Sequence, residues 1–145
     1  MNNWLYNNEP VEEPLGWGFV YLITNLSSGR MYVGKKNWWR TKKLPPLKGK
    51  KNKRHSRVES DWQTYYGSCA ELTRDIAVLG HDKFKREILH VATSASELSY
   101  LETLEQFMRC VLLDDTYYNG IISCKINSRG VKNSALLKEV VLSRF

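Results

Sequence analysis

The strongest constraint on the fold is the run GFVYLITNLSSGRMYVG at residues 18–34. Gly18 to Thr24 is rich in aromatic and β-branched residues, which suit a pleated, buried surface. Asn25 to Gly29 supplies turn residues. Arg30 to Val33 reads as the returning strand of a hairpin, ending at Gly34. Side chains alternate faces along a strand, so paired strands carrying Tyr21 and Tyr32 can present two phenols side by side. A phenol can donate or accept a proton, and a glycine after the strand lets a backbone approach closely.

The rest of the chain organises around that hairpin. Residues 1–16 are polar, carry Pro10 and Pro14, and read as an irregular arm before a single domain at 17–145. Residues 35–57 lack a periodic apolar pattern and read as a long loop or insertion. SDWQTYYGS at 60–68 suggests a short helix. Ser68 then reads as an N-cap, with Leu72, Ile76 and Leu79 on one helical face and Gly80 as the stop. Phe84 to Val91 reads as a third strand. Ser94 and Glu97 form a capping-box signature. It opens the longest helix, with Leu98, Leu101, Leu104, Met108, Val111 and Leu112 as its apolar stripe and Asp114 and Asp115 at its end. A weak helix is expected at 134–142. This order predicts an α+β fold: a small mixed or antiparallel three-stranded sheet, opened by the hairpin and covered by helices.

Charge is segregated. Eleven of the 22 Lys and Arg residues lie in 35–57, and no Asp or Glu occurs between Glu13 and Glu59. The other eleven are outnumbered by the 15 acidic residues, leaving that part of the chain at −4. One concentrated basic segment on an acidic body points to a polyanionic partner met at one place. No run approaches the length of a membrane-spanning helix, and MNNWLYNNEPVEEP lacks the features of a signal peptide. Cys69, Cys110 and Cys124 are far apart, which fits a reducing compartment and argues against disulfides or a zinc knuckle.

GFVYLITNLSSGRMYVGKK resembles the opening hairpin of the GIY-YIG nuclease superfamily. Val20-Tyr21 and Tyr32-Val33-Gly34 stand at its paired motifs, with Phe19 where the family has glycine. Tyr66-Gly67-Ser68, Leu72, Ile76, Gly80, Phe84 and Arg86-Glu87-Ile88-Leu89 resemble its middle helix, glycine turn and third strand. The GKK-aromatic run, the KGKKN stretch and YYGS make the chain most similar to the small Seg-type homing endonucleases of bacteriophages. The resemblance implies metal-dependent hydrolysis of DNA phosphodiesters in a bacterial cytoplasm by a phage or mobile-element protein. The alternative on the same fold is a catalytically inactive nucleic-acid-binding protein.

The resemblance also implies site residues. Tyr21 would orient or deprotonate the attacking water, with Lys35 or Lys36 or the metal lowering its pKa. Tyr32 would bind phosphate or orient the water. The metal, Mg2+ or Mn2+, needs a glutamate on the long helix: Glu102 is favoured over Glu105, since Glu105 has Arg109 one turn on and Glu97 is used by the capping box. Arg40 is the arginine nearest in sequence to the family's position, with Arg54 and Arg57 as further candidates, and Asn119 would brace the site. Lys35, Lys36, Trp38, Trp39, Lys48, Lys50, Lys51, Lys53 and Arg54 are expected to bind DNA, the lysines on phosphates and the tryptophans on bases. The partner is double-stranded DNA, bound by a monomer or a transient dimer, with no membrane involved.

Overall fold

The computed structural model describes residues 2–144. Met1 of the expected arm and Phe145 of the expected domain lie outside the described residues. Strands β1 (Trp4–Tyr6), β2 (Glu9–Pro10), β3 (Gly18–Asn25), β4 (Met31–Asn37) and β7 (Phe84–Ala92) form one five-stranded sheet in the order β2-β1-β7-β3-β4. Strands β5 (Trp39–Leu44) and β6 (Arg54–Glu59) form a separate antiparallel ribbon. The helices are α1 (Ala70–Leu79), α2 (Ala95–Met108), α3 (Ser128–Val131) and α4 (Ala135–Leu142).

The expected three strands make the antiparallel half of the sheet, β7-β3-β4. β3 lies at the middle of this half and is buried almost throughout, because helices cover both of its faces. Phe19, Tyr21 and Ile23 pack with Leu72 and Ile76 of α1, together with Trp4, Trp38 and Trp62. Val20 and Leu22 pack on the other side with Val33, and with Leu98 and Leu101 of α2.

Residues 1–16 are not an irregular arm. Asn7 and Asn8 take positive φ, 51° and 65°, the turn that joins two strands through a two-residue loop. β1 then pairs parallel to β7, and this makes the sheet mixed. Trp4 is only 1% exposed and meets the rings of Phe19 and Tyr21 at 5.0 and 5.3 Å.

Other boundaries move. β4 runs through Gly34 to Asn37 instead of stopping at Gly34. The basic stretch is the β5–β6 ribbon with an exposed tip, not a structureless loop. Cys69, not Ser68, caps α1, and Leu79 is exposed. Ser94 does cap α2, accepting from Glu97 N at 3.2 Å, whereas the Glu97 carboxylate bonds Thr93 and Ser134. α2 ends at Met108, well before Asp114, because Cys110 turns left-handed (φ 55°). Val111 is still buried, while Met108 and Leu112 are exposed.

Candidate active site at the outer edge of the sheet

β4 is the outermost strand on its side of the sheet, so its outer polar groups need partners from outside the sheet. Residues 116–119 supply them. Met31 N donates to Thr116 O, and Tyr118 N donates to Met31 O, each at 2.8 Å. The Asn119 side chain continues this pairing. Its Oδ1 accepts from Val33 N at 3.0 Å, and its Nδ2 donates to Val33 O at 2.8 Å. Gln106 of α2 adds a bond to the same carbonyl at 3.3 Å. Asn119 is thus a buried brace that fixes the strand on which Tyr32 and Gly34 lie.

Beyond Val33 the strand leads into a cluster of phenols. Tyr21 pairs with Gly34, and Ile23 pairs with Tyr32, so Tyr21 and Tyr32 share a face. Their ring centroids are 6.2 Å apart. Tyr65 closes the cluster at 5.9 Å from Tyr21, edge-on. Gly34 is required here, because a Cβ at this position would overlap the Tyr21 hydroxyl and ring.

Burial pushes the Tyr21 phenol far above its ordinary pKa, reinforced by the neighbouring Tyr65 and Tyr32 phenols and a hydrogen bond with Tyr65. Burial also raises Tyr32, partly offset by a hydrogen bond from Ser68. The expected lysine assistance to Tyr21 is absent. The Lys35 ammonium reaches the Ser99 hydroxyl at 2.9 Å, and Lys36 lies over the Tyr65 ring at 4.1 Å while pairing with Asp61 at 2.5 Å. A buried phenol without cationic support stays protonated at neutral pH.

Glu102 and Glu105 separate clearly. Glu105 is 2% exposed and accepts from His90 Nε2 at 2.7 Å, Arg109 Nε at 2.9 Å and Arg144. Burial raises its pKa, but these three bonds outweigh burial and hold it at about 2. Its oxygens are committed to structure. Glu102 is half-buried and, among the described residues, makes no ion pair. Burial raises its pKa, and the charge of Lys35 partly opposes this. Its charge is felt by both Tyr21 and Tyr32.

The basic residues are divided. Lys35, Lys36, Trp39, Arg40 and Asp61 line a groove of ≈ 350 Å³ beside the phenols. Arg57 stacks over the Trp39 ring at 4.2 Å, and Arg54 donates to Pro45 O at 3.2 Å at the far end of the ribbon. Lys48, Lys50, Lys51 and Lys53 are exposed at the ribbon tip. Trp38 is 0% exposed, packed against Phe19 at 4.3 Å and Trp62 at 4.9 Å. It has no free face for a base, so it is a core residue and not the expected stacking platform. Trp39 remains half-buried at the ribbon root, where its Nε1 donates to Gly16 O at 3.2 Å.

Reading the residues in order missed Tyr65, although the Tyr65-Tyr66-Gly67-Ser68 motif marked its neighbourhood. Phe19, the departure from the family pattern, is harmless to the site because it lies wholly in the aromatic core. No curated protein and no solved structure matches the chain. A family model described as "Putative endonuclease segE, GIY-YIG domain" matches residues 4–122, which take in β1, the phenol cluster, Glu102 and Asn119. The chain belongs to this GIY-YIG endonuclease family.

Proposed function

We propose that the protein is a divalent-metal-dependent DNA endonuclease of the Seg type. One arrangement carries this reading: Tyr21 and Tyr32 share a face at the edge of the sheet, and on α2 a half-buried glutamate, Glu102, makes no ion pair among the described residues. The donor set fits a hard cation. No group of three or more His, Cys, Asp or Glu side chains among the described residues could hold a metal, so an ion at Glu102 would keep most of its waters, as Mg2+ or Mn2+ does. Such an ion, when bound, supplies Lewis acidity to the scissile phosphate and lowers the pKa of water.

The remaining work falls to side chains. Glu102 would hold the ion. Tyr21, protonated and rigid, orients the attacking water or a phosphate oxygen by hydrogen bonding. Tyr32, held by Ser68, presents its hydroxyl to phosphate. Arg40, in the groove beside the site, is the arginine favoured to meet the charge that builds on the phosphate in the transition state. Lys35 and Lys36 draw the backbone into the groove. A mobile-element origin and action in the bacterial cytoplasm belong to the same proposal. One such site cuts one strand at a time, so double-strand cleavage needs two chains or two successive nicks.

A plasmid-nicking assay with and without Mg2+ tests the reading, using wild type and Glu102→Ala. Cleavage is expected only for wild type with metal. DNA binding should survive in Glu102→Ala, because affinity comes mainly from phosphate contacts. Metal-independent cleavage, or a Glu102→Ala protein that nicks at wild-type rate, overturns the assignment. A wild-type protein that binds DNA and never nicks it supports the binding-only alternative.

A further inference from the structure

Beyond Arg40 at its root, the β5–β6 ribbon takes no part in the chemistry proposed at β4. Residues 39–58 hold nine Lys and Arg residues and no carboxylate. The pairing register divides the ribbon into two faces. Arg40, Lys42 and Leu44 lie beside Val58, Ser56 and Arg54 on one, and Trp39, Thr41 and Lys43 lie beside Glu59, Arg57 and His55 on the other.

The faces differ at their root. Trp39 fastens its face to the body through Gly16 and carries the Arg57 guanidinium on its ring. The opposite face begins with Arg40, which lines a groove together with Lys35 and Lys36, and the Lys36 ammonium lies over the Tyr65 ring. Arg40, Lys42 and Arg54 on that face are exposed. Arg54 uses its Nε on Pro45 O, which leaves the terminal nitrogens of its fork available.

We propose that this ribbon enters the major groove of double-stranded DNA and reads base edges with Lys42 and Arg54. The proposal rests on the DNA-endonuclease reading and adds to it the source of sequence preference. Dimensions favour the major groove. Two paired strands fit a groove about 12 Å wide and not one about 6 Å wide. Six residues of strand, at roughly 3.4 Å each, reach about 20 Å, more than the groove's depth of about 8.5 Å. The deep, narrow major groove of double-stranded RNA excludes such a ribbon. Arginine and lysine on the reading face match the acceptors of guanine. Lys43 on the other face, with the lysines of the tip, meets phosphates, which position the protein without reading sequence.

The test uses the full chain carrying Glu102→Ala, so that bound DNA is not cut. Binding is selected from duplexes with randomised positions, and affinity is then measured on the best duplex, on a scrambled duplex, and on double-stranded RNA of the selected sequence. The unaltered ribbon should prefer the selected duplex. Lys42→Ala/Arg54→Ala should reduce that preference about tenfold or more, given the discrimination a good base contact provides. Arg54→Lys, which keeps the charge and removes the planar fork, should also reduce it. Lys43→Ala/His55→Ala should weaken both DNA duplexes equally and preserve the preference. The substituted ribbon side chains are all exposed, and a thermal melt verifies that the fold is kept. A preference indifferent to Lys42 and Arg54, or RNA bound as well as DNA, overturns the ribbon's role. Absence of DNA binding by the Glu102→Ala chain overturns the endonuclease reading itself.

Discussion

Gly34→Ala tests the packing of the phenol cluster directly. The new methyl group would overlap the Tyr21 hydroxyl and Cζ, and would lie 3.0 Å from Tyr32 Cε2. Tyr21 has no room to retreat, since it is 1% exposed and enclosed by Trp4, Phe19 and Tyr65. The strain therefore falls on β4. Overpacking of this kind costs about 1–3 kcal/mol. At roughly 2–4 °C per kcal/mol for a domain of this size, the melting temperature should fall by about 2–12 °C. Tyr21→Phe alone should change stability little, because the ring remains, yet slow cleavage by roughly 10²–10⁴-fold. With the hydroxyl gone the methyl group still overlaps Cζ of the ring, so the double should recover only part of the loss caused by Gly34→Ala. Thermal unfolding of the four proteins measures this coupling, and single-turnover nicking measures its functional counterpart. Gly34→Ala should slow nicking by about 10²-fold through displacement of the Tyr21 oxygen. Unchanged melting of Gly34→Ala would refute the packing of Tyr21 against Gly34. Unchanged turnover in a displaced or missing Tyr21 hydroxyl would reduce that residue to a core side chain.

Two further outcomes follow from the charges. Replacing Lys48, Lys50, Lys51 and Lys53 with alanine should leave melting nearly unchanged, since all four are exposed. The slope of log affinity against log salt should fall by about 3–4 units in a binding titration without metal if each lysine touches a phosphate. Glu105 has its pKa depressed to about 2 in the folded protein, so its stabilisation is complete above the ordinary carboxylate value near 4.3 and disappears as pH falls toward 2. Acid unfolding of wild type should therefore lose on the order of 3 kcal/mol more between about pH 5 and pH 2 than Glu105→Gln does, starting from higher stability at neutral pH.

Some of these features were visible in the residues and others were not, for reasons tied to particular positions. The β3–β4 hairpin was legible because Tyr21 and Tyr32 lie in short apolar runs bounded by turn residues. Trp4 was not, because three residues of strand in a polar stretch acquire meaning only from Arg86, Glu87 and Ile88, more than eighty positions later. The ribbon was hidden because charged and polar side chains occupy both faces, leaving no alternation of apolar and polar residues to mark a strand. Trp38 was misread for the same reason, as an aromatic among lysines that turns inward where its neighbours turn out. The helix offered Glu102 and Glu105 on similar terms. They are told apart by His90 and Arg144, which lie fifteen and thirty-nine residues from Glu105 and converge on it only in three dimensions.

The parallel pairing of β1 with β7 also sets a timetable. Trp4 leaves the ribosome well before Arg86, its partner in the sheet, which is made more than eighty residues later. At roughly 5–20 residues per second, the wait is about 4–16 s. During that interval the wall behind Tyr21 is missing, because the Trp4 indole that completes it has no strand to join. The phenol cluster cannot be rigid until β1 has joined the sheet. A cell synthesising this nuclease would therefore meet its cutting activity only after this late closure, with the nascent chain still inert while its basic ribbon is already exposed.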